Sequence, residues 1–160
     1  MLIIAHAVAL LVAVAFERAW PPGLRWGGVA PDFALILIAC IGITRGPIAG
    51  CAAGLFGGFL AATVGEGGFG ATLMSHMVIG FACGHARGRV FADHVLVAPV
   101  IATLVVIVAA FIELVISPSS HLVPWLAGLG RSIVFTALVS PIAYLYARAV
   151  SRRWPQRTET

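Results

Sequence analysis

Few side chains in this sequence have the means to do chemistry, and they lie far apart. Glu113 stands inside an otherwise apolar run, VIVAAFIELVIS. A charge at the centre of a bilayer costs about 2.5–3.5 kcal/mol on insertion scales. Glu113 falls near the outer end of its run, and Arg131 opens the next run at a similar depth. The two are expected to form an intramembrane ion pair; coupling to a proton or ion is the sharper alternative. Ser75 is followed by His76. Successive residues of a helix point about 100° apart, so this hydroxyl and this base are not expected to face each other. Hydrolysis or group transfer inside a membrane needs a nucleophile with its base, or paired carboxylates. No intramembrane Asp pair occurs in the sequence, which reads as non-catalytic.

The remaining polar features have plain readings. His6 and His76 each stand alone in an apolar run and read as neutral imidazoles bonded to a carbonyl or a water. His85, Asp93 and His94 share one polar link but lack the spacing of a metal site. Gly65-Glu66-Gly67-Gly68-Phe69-Gly70 follows an apolar helix and is not followed by Lys, so it reads as a turn and not a phosphate loop. Cys40, Cys51 and Cys83 are odd in number, form no CxxC and sit in apolar runs, as small buried residues do. No cofactor and no metal are expected.

The clearest pattern is a spacing of glycines. Gly46, Gly50, Gly54 and Gly58 recur every four residues, with Ala62 continuing the row, and Gly80, Gly84 and Gly88 repeat the pattern further on. Residues four apart share a helix face. Lipid gives helices no hydrophobic reason to associate, so close backbone approach must hold them together. The two stripes predict either a tightly packed internal helix pair or a face that docks a partner's transmembrane helix.

The elements that carry these residues follow from the apolar runs. Residues 2–16 form the first; no Arg or Lys precedes it, so it reads as a first transmembrane helix rather than a signal peptide. A loop over 17–31 holds Pro21-Pro22-Gly23 and the interface-suited Trp20 and Trp26. Further spans are expected from Pro31-Asp32 to Thr44, over 47–63, over 71–86, over 95–116 and over 131–149. Arg45-Gly46-Pro47 is a very short turn, and residues 122–130 lie at the interface or start the last helix. Pro141 is expected to kink that helix by removing a backbone hydrogen bond. With the N-terminus inside, Arg45, Arg87, Arg89, Arg148, Arg152, Arg153 and Arg157 fall inside, and Arg18, Arg25 and Arg131 outside. The positive-inside rule then places both termini in the cytoplasm.

Composition agrees with this class. Of 160 residues, 61% are hydrophobic and 10% charged, which leaves too little polar surface for a soluble domain and too little charge for disorder. Six spans of about 20 residues use roughly 120 of the 160 residues and leave room only for short loops. One membrane domain over 1–150 is expected, with an Arg-rich cytoplasmic tail over 151–160. The formal net charge of +4 comes from Arg alone. In a membrane chain, the Arg87–Arg89 link and the basic tail read as contacts to anionic lipid, not to nucleic acid.

The order of these motifs resembles the rod shape-determining protein MreD family. The likeness is carried by Pro31-Asp32 with its apolar run, Arg45-Gly46-Pro47, AGCAAGLFGGFL, the Gly-Gly-Phe-Gly turn, IGFACGHARGRVF, the helix with Glu113, and the helix beginning near Arg131. It covers about residues 25–150. Many family members carry an acid at the end of the third helix; here Ala62 and Thr63 stand there, and Glu66 is the nearest acid. The resemblance implies an all-α fold of six transmembrane helices, similar to the substrate-binding subunits of energy-coupling-factor transporters. It implies a non-catalytic scaffold of the bacterial inner membrane that binds MreC. Through MreC it would link MreB filaments to RodA and a penicillin-binding transpeptidase. The alternative is a small-solute, vitamin-type transporter subunit. That role needs convergent polar groups, and the sequence has no Asn and places its only Gln, Gln156, in the tail.

Overall fold

The computed structural model describes residues 2–25, 28–65, 68–86, 97–118 and 121–153. Its regular elements are helical: α1 (Leu2–Arg18), α2 (Phe33–Arg45), α3 (Pro47–Val64), α4 (Phe69–His85), α5 (Val97–Ile116) and α6 (Leu122–Arg153), with one 3-10 turn at Pro22–Leu24. Three segments, Pro47–Val64, Ala98–Ile116 and Leu122–Ile142, are long and apolar enough to cross a membrane, and Phe33–Arg45 is a shorter apolar helix.

α2 is the axis of the bundle. Eight of its 13 residues are buried, as expected of a helix that is apolar all round. Leu35 and Ala39 pack with Ile79 of α4 and with Val105, Val106 and Ala109 of α5. Leu37, Ile38 and Ile41 pack with Leu10 of α1 and Ala53 of α3. α3 lies against α4 along most of its length, α1 leans on α2 and α3, and α6 leans on α5 and α2. Bulky side chains such as Ile48, Phe59, Phe81, Leu104, Phe111 and Leu138 point outward. An exterior of this kind suits hydrocarbon rather than water.

Two joints are set locally. Gly46 alone connects α2 to α3, at φ +95°, in the left-handed region that glycine enters without a Cβ clash. Its amide donates to the Gly42 carbonyl at 2.8 Å and its carbonyl accepts from Gly50 at 2.9 Å, while Pro47 starts α3 where no amide is needed.

The second joint takes one of the two forms expected of it. Residues 122–130 belong to the last helix, which runs unbroken to Arg153. Pro124 falls in its first turn, where proline is tolerated. Pro141 lies inside the same helix. Having no amide hydrogen, it leaves the Ala137 carbonyl without its helical donor. The Ser140 hydroxyl donates to that carbonyl at 2.8 Å and is itself 1% exposed. A side-chain hydroxyl thus replaces the missing backbone bond, as the interior of a membrane demands.

Candidate functional site

The two glycine rows lie against each other. A Cβ on Gly50 would collide with the Gly80 carbonyl, and one on Gly80 with the Gly50 carbonyl. Gly54 lies on the His76 carbonyl, Gly84 on Gly46 and Pro47, and a Cβ on Gly58 would come within 2.8 Å of His76 Cβ. Contact this close is available only where both helices lack side chains. Gly88, Arg87 and Arg89 lie outside the described residues, as do Glu66, Asp93, His94 and Arg157. Arg148, Arg152 and Arg153 fall in the last turns of α6, with their side chains outside the description.

Two glycines join the contact without having been singled out. Gly42 of α2 faces the Gly80 carbonyl at 2.6 Å from an added Cβ, and Gly57, on another face of α3, meets Ile38 Cδ1 at 2.8 Å. Gly42 stands four residues before Gly46. The row therefore continues across the turn onto a second helix.

A buried polar cluster occupies the end of the bundle where α1 finishes and α2 begins. Asp32 caps α2, its Oδ1 accepting from the Leu35 amide at 2.8 Å. The Asp32 amide donates across the bundle to Thr136 Oγ1 at 3.2 Å, and Thr136 is fully buried. The Glu17 carboxyl comes up to the Phe33 and Ala34 amides. The donors at the start of α2 thus meet acceptors from α1, α6 and the cap. Around this end the rings of Phe16, Trp20 and Phe33 pack edge-on or tilted, with centroids within 5.5 Å of one another, and Phe135 meets Trp20 edge-on at 5.9 Å.

Ser75 and His76 lie deeper in α4, 0% and 4% exposed. Their side chains do meet, contrary to expectation. Both fold back toward the preceding turn, as helical side chains do. The Ser75 hydroxyl donates to the Thr72 carbonyl at 2.9 Å and lies 3.3 Å from His76 Nδ1. Nδ1 lies 2.8 Å from the same carbonyl. A carbonyl only accepts, so the ring hydrogen sits on Nδ1, and that nitrogen cannot take the Ser75 proton. Beyond Ser75 is Glu113, whose Oε1 lies 3.4 Å from the Ser75 hydroxyl. His76 and Asp32 also act on Glu113 electrostatically. Arg131 lies on the exposed side of α6.

A separate cleft in the bundle is apolar. It measures about 160 Å³ and lies between α2, α4 and α5, lined by Ile43, Ile79, Cys83, Ile101, Val105 and Val108. Its lining is almost wholly apolar and offers nothing to hold a polar solute. Among the described residues, no group of three or more metal-ligating side chains comes together. No family model matches the chain, and no curated protein and no solved structure matches it.

Proposed function

We propose that this chain is a non-catalytic, six-span scaffold of the MreD type in the bacterial inner membrane. In this reading it binds MreC and helps couple MreB filaments to RodA and its transpeptidase partner in building a rod-shaped wall. The six-span fold would then be similar to the substrate-binding subunits of energy-coupling-factor transporters. The observation that carries the proposal is the use of the glycine faces. They are spent on packing α3 against α4, α2 and the Gly46 turn, and the helices turn bulky apolar side chains outward. A chain built so has a rigid interior and a wide apolar exterior, which suits lateral contact with other membrane helices.

Orientation follows the arginines, with both termini cytoplasmic and the basic link and tail near anionic headgroups. The test is co-purification from native membranes in mild detergent with a tag at the C-terminus. MreC and RodA in near-stoichiometric amounts support the scaffold. A transporter ATPase pair, or a retained small molecule without wall-synthesis partners, overturns it in favour of the carrier.

A further inference from the structure

The scaffold role gives no work to the cleft between α2, α4 and α5. Its floor includes Ile79 and Val105, 1% and 5% exposed. Its rim includes Ala82 and Leu104, both exposed on the outside of the bundle. The cleft therefore opens sideways, toward hydrocarbon in a bilayer. A cavity of about 150 Å³ lined by Leu, Ile and Phe takes up benzene. This one, at about 160 Å³, has room for several methylenes of one chain.

The cleft is also long. On α5 its wall runs from Ile101 to Val108, about 10 Å along the helix axis. On α2 and α4 it reaches Ile43 and Ala86, close to Arg45 and His85, the last residues of those helices. The slot thus begins at one end of the bundle and runs inward along the helices, as an acyl chain runs from its headgroup.

That end has the charge a phosphate needs. Arg45 closes α2. The bond from Asp32 to Thr136 sets the two levels equal on α2 and α6. Arg45 follows Asp32 by 13 residues and Arg148 follows Thr136 by 12, so the two arginines come about level. Among the described residues the carboxylates, Glu17, Asp32 and Glu113, stand toward the opposite end. An anionic headgroup beside the slot meets positive charge with no described carboxylate to repel it.

We infer that the cleft binds one acyl chain of an anionic phospholipid, with the phosphate at the Arg45 end and the chain lying over Ile79 and Val105. Close apolar contact holds the chain, and the arginines select the headgroup. Since α2, α4 and α5 each supply a wall, the bound chain ties three helices together. The inference stands independently of the scaffold reading.

Native mass spectrometry of the full chain tests it. The protein is delipidated, then offered equal amounts of phosphatidylglycerol and phosphatidylcholine with the same acyl chains. One lipid per chain is expected to outlast the others as collision energy is raised, with phosphatidylglycerol favoured about fivefold. Arg45→Gln is expected to remove most of that preference. Ala82→Phe places a ring in the slot and is expected to weaken retention about tenfold, as the loss of two buried methylenes would. Should Ala82→Phe not fold, Ala86→Leu narrows the slot at its headgroup end and is expected to act the same way by less. Equal retention of the two lipids overturns the proposal, because the headgroup is then not selected. Retention unmoved by the folded variant also overturns it, because the lipid then lies elsewhere. A dimer that is lost on filling the slot, with no lipid retained, overturns it in favour of a second copy of the chain.

Discussion

Gly50 and Gly80 touch backbone to backbone, each filling the space where the other would carry a Cβ. A methyl group on either meets a main-chain carbonyl, which cannot swing aside as a side chain can. Gly50→Ala and Gly80→Ala are each expected to destabilise the folded protein by about 1–3 kcal/mol, toward the upper end because the obstruction is backbone. Gly70 and Gly128 have open space around them, so Gly70→Ala and Gly128→Ala should be silent. Unfolding in mixed micelles followed by circular dichroism makes the comparison. Equal effects at all four positions would mean the rows are not a close contact.

The bond between the Asp32 amide and Thr136 joins residues 104 apart in sequence. Thr136→Val keeps the shape and removes the acceptor, stranding a donor at the head of α2. A loss of about 1–3 kcal/mol is expected, with Thr136→Ser recovering most of it. Equal stability of the valine and serine variants would argue against the bond.

At the same helix start, Asp32→Ala removes the cap and should cost about 1 kcal/mol, whereas Asp32→Asn keeps an acceptor and should cost only a fraction of that. If Asn and Ala are equally harmful, the charge of Asp32 matters more than its cap, through its attraction to the positive end of the α2 dipole.

Ser140 and Pro141 form a matched pair. Ser140→Ala leaves the Ala137 carbonyl with no donor, and about 1–3 kcal/mol should be lost. Pro141→Ala supplies the missing amide. The serine change should then be nearly harmless in the Pro141→Ala background. This double-mutant cycle isolates the coupling; additive effects would show that the hydroxyl does not stand in for the amide.

The orientation has its own check. A cysteine added at the C-terminus, in a chain with Cys40, Cys51 and Cys83 changed to Ala, should resist an impermeant thiol reagent in intact cells and react once the membrane is opened. Reaction in intact cells would place the tail outside.

Most of the helices and the glycine contact were legible because both are one-dimensional signals. An apolar run marks a helix, and a four-residue glycine period marks a face, whatever lies opposite. Gly42 carries the same period but sits beyond the Gly46–Pro47 break, so the row seemed to start later than it does. The start of α6 was obscured by Pro124, Gly128 and Gly130, which break helices elsewhere but are tolerated near an open end. The polar cluster was illegible for a different reason. Ser75 and His76 meet because both side chains bend onto one carbonyl, which residue spacing around a helix does not report. Asp32 and Thr136 meet only because α2 and α6 are neighbours, and nothing in either segment names the other.

The single-residue joint at Gly46 has a consequence for how the chain enters a bilayer. With 13 residues, α2 is about 20 Å long, short of the roughly 30 Å of hydrocarbon that a lone helix must bridge. It lacks the length to be threaded and released alone. Since only Gly46 separates it from α3, the two are expected to enter a bilayer together, as one hairpin. In a bilayer the insertion of α2 would therefore depend on α3, and a change that spoils α3 would be expected to strand α2 with it.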